Sequence, residues 1–405
     1  MRESVATYPS PAQRPQRLIA QQNLKMARSA HAYVRGNTLQ FYRWLKGHHS
    51  AAIPNGPAVW ICGDCHIGNL GPVASADGNV DIQIRDLDQT VIGNPAHDLI
   101  RLALSLATSA RGSDLPGVTT AHMMEHLVEG YSRALSRRHG GPEAIVRPEA
   151  VRIVMRRAMA RTWKHLAKER LEDVEPTVPL GERYWPLAKS EKRAVESLFR
   201  DAAVRRLVTS LKSRKDDAKV QVLDAAYWMK GCSSLGRLRY AALLGVGKAN
   251  DPDDFCLIDI KQAVPAAAPC AKNSLMPHDH AVRVVTGARQ LAPNLGNRML
   301  PARLLGRSVF LRELLPQDLK LDINQLTVEE AIHCSQFLAS VVGTAHGRQM
   351  DASERTRWRN VLASGRSRRL DAPSWLWRSV VDLMIDHESA YLEHCRQYAL
   401  TLKAA

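Results

Sequence analysis

The stretch Val-Trp-Ile-Cys-Gly-Asp-Cys-His-Ile-Gly-Asn-Leu-Gly at 59–71 narrows what this chain can become more than any other. An apolar run over 58–62 suits a buried strand, and it breaks at once into a loop of glycines and polar side chains. Two further extended segments, 67–73 and 80–85, flank Ala-Asp-Gly-Asn at 76–79, where Asp-Gly suits a tight turn between paired strands. A loop rich in hydrogen-bonding groups is therefore held between a buried strand and a small hairpin.

Around that centre the pattern is mostly helical. Apolar spacings of three and four predict helices over 18–32, 38–45, 96–110 and 120–135, then a long, basic, mainly helical region with a Pro-rich break at 175–186, continuing to about 230. The texture changes at Gly231: 231–247 and 255–263 read as strand, glycine turn, strand and another strand, a small sheet. A helix over 280–292, a strand over 309–315 and a helix over 327–346 follow, the last opened by the capping box Thr327 to Glu330. Leu376, Val380, Leu383, Met384 and Tyr391 share one face of a closing helix. The expected organisation is an N-terminal arm over 1–17, a helical lobe over 18–230, a sheet lobe with a linker strand over 231–322, and helices over 323–405 that return to the first lobe.

At 405 residues the chain is long enough for two lobes with a cleft between them. No stretch approaches eighteen consecutive apolar residues, and the basic, proline-bearing N-terminus lacks the apolar core of a secretory signal, so a cytoplasmic protein without a membrane partner is expected. Seven cysteines, an odd number thinly spread, argue for reduced thiols. The net charge of +16 is concentrated in 151–220, with 18 Lys/Arg against 10 Asp/Glu, which suits a solvated helical face or a surface for an acidic or phosphorylated partner.

The candidate chemistry lies in the loop. Phosphoryl transfer from a nucleotide needs a carboxylate to orient the acceptor hydroxyl and a polar metal ligand, often an Asp and an Asn five positions later, the spacing of Asp64 and Asn69. After the hairpin, Asp86 ends the second strand where a carboxylate would meet Mg²⁺, with Asp88 as its assistant.

Gly63, Asp64, His66 and Asn69 give Gly-Asp-x-His-x-x-Asn, which resembles the catalytic loop of aminoglycoside phosphotransferases and choline kinases. Gly-Asn-Pro-Ala-His-Asp-Leu at 93–99 is similar to a later segment of the same enzymes, with Asp98 matching a structural aspartate and Asn94 replacing another. The resemblance calls for a phosphate-covering glycine loop and a lysine, and these follow the catalytic loop instead of preceding it: Gly231, Ser233, Ser234 and Gly236 between two strands, then Lys261 inside the apolar strand Leu-Ile-Asp-Ile-Lys. An isolated ammonium in such a strand is costly unless it meets anions.

Taken whole, from 25–36 through the loop, Arg-Asp-Leu-Asp-Gln-Thr at 85–90, 232–240 and 260–263 to 310–322 and 344–348, the chain resembles the bacterial family of domain of unknown function 2252. That resemblance implies an α+β, two-lobed, circularly permuted kinase-like fold and an ATP site with Mg²⁺, or Mn²⁺ in its place. It implies a nucleotide-holding linker at Arg312, Glu313, Leu314 and Leu315, and it sets Arg35 in a motif near the phosphates. The acceptor stays unidentified. Two positions depart from the kinase pattern: Cys62 stands where a His is usual, and no Glu is placed to pair with Lys261, the following helix offering Asp279 and, where a Glu is common, Thr286. A nucleotide-binding scaffold without transfer is therefore the alternative.

Other readings are weaker. Cys62 and Cys65 form a C-x-x-C beside His66, yet no second ligand pair completes a zinc site. Arg355, Arg357, Arg359, Arg366, Arg368 and Arg369 give phosphate-binding charge without a motif that reads bases, and aromatics are only 5%, so nucleic acid is not the expected partner. His333, His346 and the pair His48 and His49 suit packing better than catalysis.

Overall fold

The computed structural model describes residues 8–47, 52–136, 146–170, 177–211, 213–247, 254–321, 326–364 and 371–398. The chain opens with α1 (Arg14–Ala27), α2 (Ala30–Gly36) and α3 (Thr38–Lys46), followed by β1 (Val59–Ile61), β2 (Leu70–Ala74), β3 (Val80–Ile84) and β4 (Val91–Gly93). Ser29 and Asn37 cap α2 and α3 through their side chains, so what the spacing joined into one helix over 18–32 is broken by a cap. β2 and β3 form the expected hairpin and β1 pairs with β4, both antiparallel.

Next come α4 (Pro95–Gly112), α5 (Gly117–Ser136), α6 (Glu149–Met159) and α7 (Trp163–Arg170). Asn94 caps α4 and Pro95 takes its first position, where a missing N–H costs nothing. β5 (Tyr184–Pro186), α8 (Lys189–Leu198), α9 (Ala202–Thr209), β6 (Val220–Trp228), β7 (Arg239–Val246) and β8 (Phe255–Gln262) follow, then α10 (His280–Leu291), α11 (Pro293–Gly296), β9 (Met299–Leu304) and β10 (Arg307–Leu314). The chain ends with α12 (Val328–Gly347), α13 (Ala352–Ala363) and α14 (Ser374–Tyr398).

Among the described residues the fold is α+β, with one antiparallel sheet ordered β5-β6-β7-β8-β10-β9. This sheet begins earlier than the expected boundary at 231: β5 and β6 belong to it, and α8 and α9 pack on one of its faces through Val195, Phe199, Val204 and Val208. The helical reading up to 230 is corrected accordingly. The alternation of β6 is interrupted by a register shift between Val222 and Asp224, and alanines at 225 and 226 blur what remains. Of the expected arm, residues 1–7 lie outside the described residues, while Arg14 is buried and pairs with Glu191 at 2.7 Å, tying α1 to the sheet lobe.

The larger core gathers α3, α4, α5, α12 and α14 around β1. Its members from α14 include Leu376, Val380 and Leu383, three of the residues whose spacing predicts that face. No helix among the described residues is long and apolar enough to cross a membrane.

Candidate functional site

The loop after β1 is fixed from beneath. Gly63 has φ +74°, and a Cβ there would sit 2.2 Å from the Gln89 carbonyl oxygen, so both conformation and space demand glycine. The N–H groups of Cys62 and Gly63 donate to the buried Asp98 carboxylate at 2.7 and 2.9 Å. Asp98 is met at 3.2 Å by His346 Nε2, whose Nδ1 lies 2.9 Å from the Tyr131 hydroxyl, which accepts from Trp358 Nε1 at 3.3 Å. All four side chains are buried, so the loop rests on a polar chain running through the helical core.

Asp64 is the carboxylate of this loop that lines the cleft. Its Oδ1 accepts from Arg101 Nε at 3.0 Å, and Arg101, itself buried, also donates to the Val34 carbonyl at 2.6 Å. Burial raises the Asp64 pKa above the ordinary carboxylate value, against the opposing pull of Arg101 and Thr38. Asn69 Nδ2 donates to the Asp64 carbonyl at 2.9 Å, which keeps its amide oxygen out of that bond. His66 is buried, and its pKa is pushed well below the usual imidazole value by desolvation and by Arg35 and Arg101, so it is neutral near pH 7. Arg35 lies against Gly68, where a Cβ would be 2.7 Å from its Nη2, and its Nε is buried with no partner among the described residues.

β3 delivers the second pair of carboxylates opposite β8. Lys261 Nζ lies 2.5 Å from Asp88 Oδ2 and 3.5 Å from Asp86 Oδ1. Asp259, two residues earlier on the same strand face, forms a two-pronged ion pair with Arg239, at 2.9 and 2.5 Å, and Arg239 stands directly across from Lys261 in the register of β7 and β8. Arg312 on β10 faces Asp259 and donates to the Arg85 carbonyl at 2.9 Å. Enclosure raises the Asp86 pKa, but Lys261, Arg239 and Arg312 outweigh it and hold the group well below the carboxylate range; Asp88, buried beside Asp86, is raised. The two carboxylates thus differ: Asp86 is ionised and half exposed to the cleft, and Asp88 is turned to the lysine.

The carboxylate for Lys261 therefore comes from the loop after β3 and not from α10. Asp279 caps the N-terminus of α10 and bonds Ser308 at 2.7 Å. What α10 sends toward the loop is Arg283, which donates to the carbonyls of Asp88 at 2.9 Å and of Thr90.

Between β6 and β7, Gly231 and Gly236 take φ +90° and +88°, and the turn they bound covers one side of the cleft. The backbone N–H groups of Cys232, Ser233 and Ser234 donate to no backbone carbonyl among the described residues. Such a run of unspent donors suits an anion. Gly231, Ser233 and Ser234 line the cleft, while Gly236 faces Ile19 and Pro15 of α1.

Along the expected linker, Arg312, Leu314 and Leu315 line the cleft and Glu313 does not. Strand alternation turns Glu313 to the other face, where it is buried against Arg214 at 2.7 Å, and its carbonyl accepts from Arg298 at 2.8 Å. Arg298 also grips Asp318 at 3.0 and 3.1 Å, fastening the end of β10 to the residues after it.

The cleft these elements enclose measures about 810 Å³. Eleven Lys/Arg against six Asp/Glu side chains line it, so its field favours a polyanion. Arg161 and Arg170 of the basic helical region are among them, while Arg152 and Arg156 share Glu149 on the surface. No group of three His, Cys, Asp or Glu side chains gathers as a metal cage among the described residues. Asp86 with the Asn69 amide oxygen fits instead the kind of site that Mg²⁺ completes with waters and phosphate oxygens.

Asp64, His66, Arg35, Asn69, Asp86, Asp88, Gly231, Ser233, Ser234, Lys261, Arg312, Leu314 and Leu315 therefore surround one cleft; Gly236 and Glu313 stand outside it. Sequence reasoning missed Arg101, Arg239 and Asp259, although Arg101 and Asp259 are charges inside apolar runs, the same signal that singled out Lys261; Arg239 stands two residues after Arg237 at the head of its strand. It also missed the link of His346 to Asp98. Cys62 and Cys65 are buried free thiols, His333 is exposed on α12, and Arg357 and Arg359 are exposed on α13. His48, His49, Arg366, Arg368 and Arg369 lie outside the described residues.

The chain belongs to the family of domain of unknown function 2252, described as an uncharacterized protein conserved in bacteria, whose family model matches residues 14–397. No curated protein and no solved structure matches it.

Proposed function

For a member of this bacterial family with such a cleft, we propose an ATP- and Mg²⁺-dependent phosphotransferase on a circularly permuted kinase-like fold. One observation carries the reading. Asp64, Asn69 and Asp86 from the first quarter of the chain meet Lys261 and the glycine turn from its second half around one cation-rich cleft. The order of β6, β7, β8, β10 and β9, with a helix between β8 and β9, supports it: the glycine turn joins the first two strands and the lysine lies on the third.

In this reading the unspent N–H groups of the glycine turn and the ammonium of Lys261 hold phosphate oxygens, and the nucleoside lies toward Leu315. Asp86 and Asn69 would hold Mg²⁺, which would supply neutralisation of phosphate charge. Asp64 orients the acceptor hydroxyl and accepts its proton as the acceptor oxygen bonds to the γ-phosphorus and the bond to ADP breaks. A raised pKa makes Asp64 a stronger base than a free carboxylate. Thermal melting with Mg²⁺ and ATP, read beside ADP release, tests the reading: a rise in melting temperature with millimolar nucleotide is expected, and no rise with either Mg²⁺ or Mn²⁺ would end it.

The scaffold reading has its own support, since Arg101 occupies Asp64 Oδ1 and Asp88 occupies Lys261. Nucleotide binding without ADP release under a broad acceptor panel would favour it.

A further inference from the structure

A second cavity, of about 470 Å³, meets the cleft at Ser233, which lines both. Its other walls come from α1, from the junction of α2 and α3, from Gln89 and from residues 265–267. Its lining is rich in uncharged hydrogen-bonding groups. The Gln22 and Asn23 side chains make no hydrogen bond among the described residues, and Gln89 uses Oε1 on the Ala267 N–H at 2.7 Å, which leaves Nε2. Asn37 is spent on the N-terminus of α3 and on the Tyr33 hydroxyl. Among the described residues, Arg237 is the only charged side chain in the lining, and no Asp or Glu joins it.

Thr38 links this cavity to the chemistry. Its side chain lines the cavity, only 5% of the residue is exposed, and its buried hydroxyl turns to Asp64, close enough to act as a hydrogen-bond donor that lowers that group's pKa. The volume falls within the range of small-molecule sites and is too small for a folded partner. The charge narrows the class: the walls of this cavity offer an ammonium no carboxylate of their own and set Arg237 among them.

We propose that this cavity is the acceptor site and that it takes a small hydroxyl-rich molecule without an ammonium group, a sugar or a cyclitol, whose hydroxyl reaches Asp64 beside Thr38. The assignment rests on the phosphotransferase reading for the reaction, but not for the binding. Gln22 and Asn23 hold the ring hydroxyls, Gln89 donates through Nε2, and Thr38 positions the reacting hydroxyl.

Saturation-transfer NMR with myo-inositol and D-glucose, against kanamycin and choline, tests it on the full chain with and without Mg²⁺ and a non-hydrolysable ATP analogue. Saturation of the polyols and not of the amines is expected. In Thr38→Val, and in the double variant Gln22→Leu, Asn23→Leu, affinity for the polyol should fall about tenfold, the equivalent of losing one net hydrogen bond. Nucleotide affinity of the double variant should stay within about twofold, which shows that it folds. Amines that saturate in place of the polyols, polyol binding unaltered in both variants, or no polyol binding to protein that binds the analogue overturns the proposal and leaves the nucleotide reading standing. Polyol binding that the variants weaken, in protein that does not bind the analogue, supports this site and overturns the nucleotide reading.

Discussion

Lys261 and Asp88 meet at 2.5 Å, although one lies on the third strand of the sheet run β6-β7-β8 and the other on the loop that leaves the β2–β3 hairpin. Their side chains are 6% and 15% exposed, so the contact is a largely desolvated ion pair that fastens β8 to the loop after β3. Breaking one partner of such a pair strands the other. Lys261→Met should lower stability by about 3 kcal/mol in the absence of ligand and weaken Mg²⁺-ATP binding, read by denaturant unfolding and calorimetric titration. Unchanged unfolding and unchanged affinity would return Lys261 to an ordinary strand residue.

Asp64 and Asp86 should separate by role. Asp64→Asn removes the proton acceptor and keeps the volume, so nucleotide affinity should stay within a few fold while turnover falls by about a hundredfold or more. Asp86→Asn should lose metal-dependent nucleotide affinity and turnover together. Single-turnover ADP release with parallel binding titrations distinguishes them, and wild-type transfer by Asp64→Asn would refute the assignment of the base.

Asp98 touches neither proposed ligand, but it accepts the two N–H groups that set the turn before Asp64. In Asp98→Asn one amide hydrogen must face a backbone donor, and an unsatisfied buried donor costs about 1–3 kcal/mol. The expected signature of this positioning residue is a drop in kcat with nucleotide affinity largely kept. His346→Gln should give a milder version of the same split. A loss of affinity equal to the loss of kcat would mean that the chain from Trp358 to Asp98 supports the whole lobe instead of the loop.

What was legible in the sequence was local. The capping box at Thr327, the Asp-Gly turn and the apolar face of α14 follow from interactions within a few residues, and each is present. The order of Asp64, Asn69, Asp86 and Lys261 was also legible, because loop carboxylates and a buried lysine stand out singly. What was hidden depends on register and on long-range pairing. β6 carries a bulge that breaks its period, Glu313 leaves the cleft because strands alternate, and the partner of Lys261 lies on a segment 173 residues earlier in the chain. Arg101 sits in Leu-Ile-Arg-Leu-Ala and satisfies an apolar helix pattern by itself, so nothing local tells that it reaches Asp64 and the Val34 carbonyl.

A buried histidine ties the stability of the helical lobe to pH. His387 on α14 is buried, its Nδ1 meets the Leu383 carbonyl at 3.0 Å, and its Nε2 has no partner among the described residues. Desolvation, helped by the nearby Arg101 cation, pushes its pKa down to about 4 from an ordinary value of 6.5. Between those values the unfolded chain binds the proton and the folded one does not, so this group's contribution to stability falls as pH drops through 6.5 and levels off below about 4. A depression of that size corresponds to a loss of about 3 kcal/mol once the pH lies below both values. His66 and His97, also depressed, act in the same direction, whereas the raised carboxyls of Asp64, Asp88 and Glu313 act in the opposite one over the range just above their ordinary values. The wild-type curve alone therefore mixes signs, and the informative quantity is a difference. His387→Leu removes one titration, so the stability of the variant relative to wild type should rise as pH falls from 7.5 to 4, whatever the constant cost of the leucine. Urea unfolding at half-unit pH steps measures it. A difference that stays flat across that range would show that His387 titrates alike in the folded and unfolded chains, and so that α14 does not seal it from water.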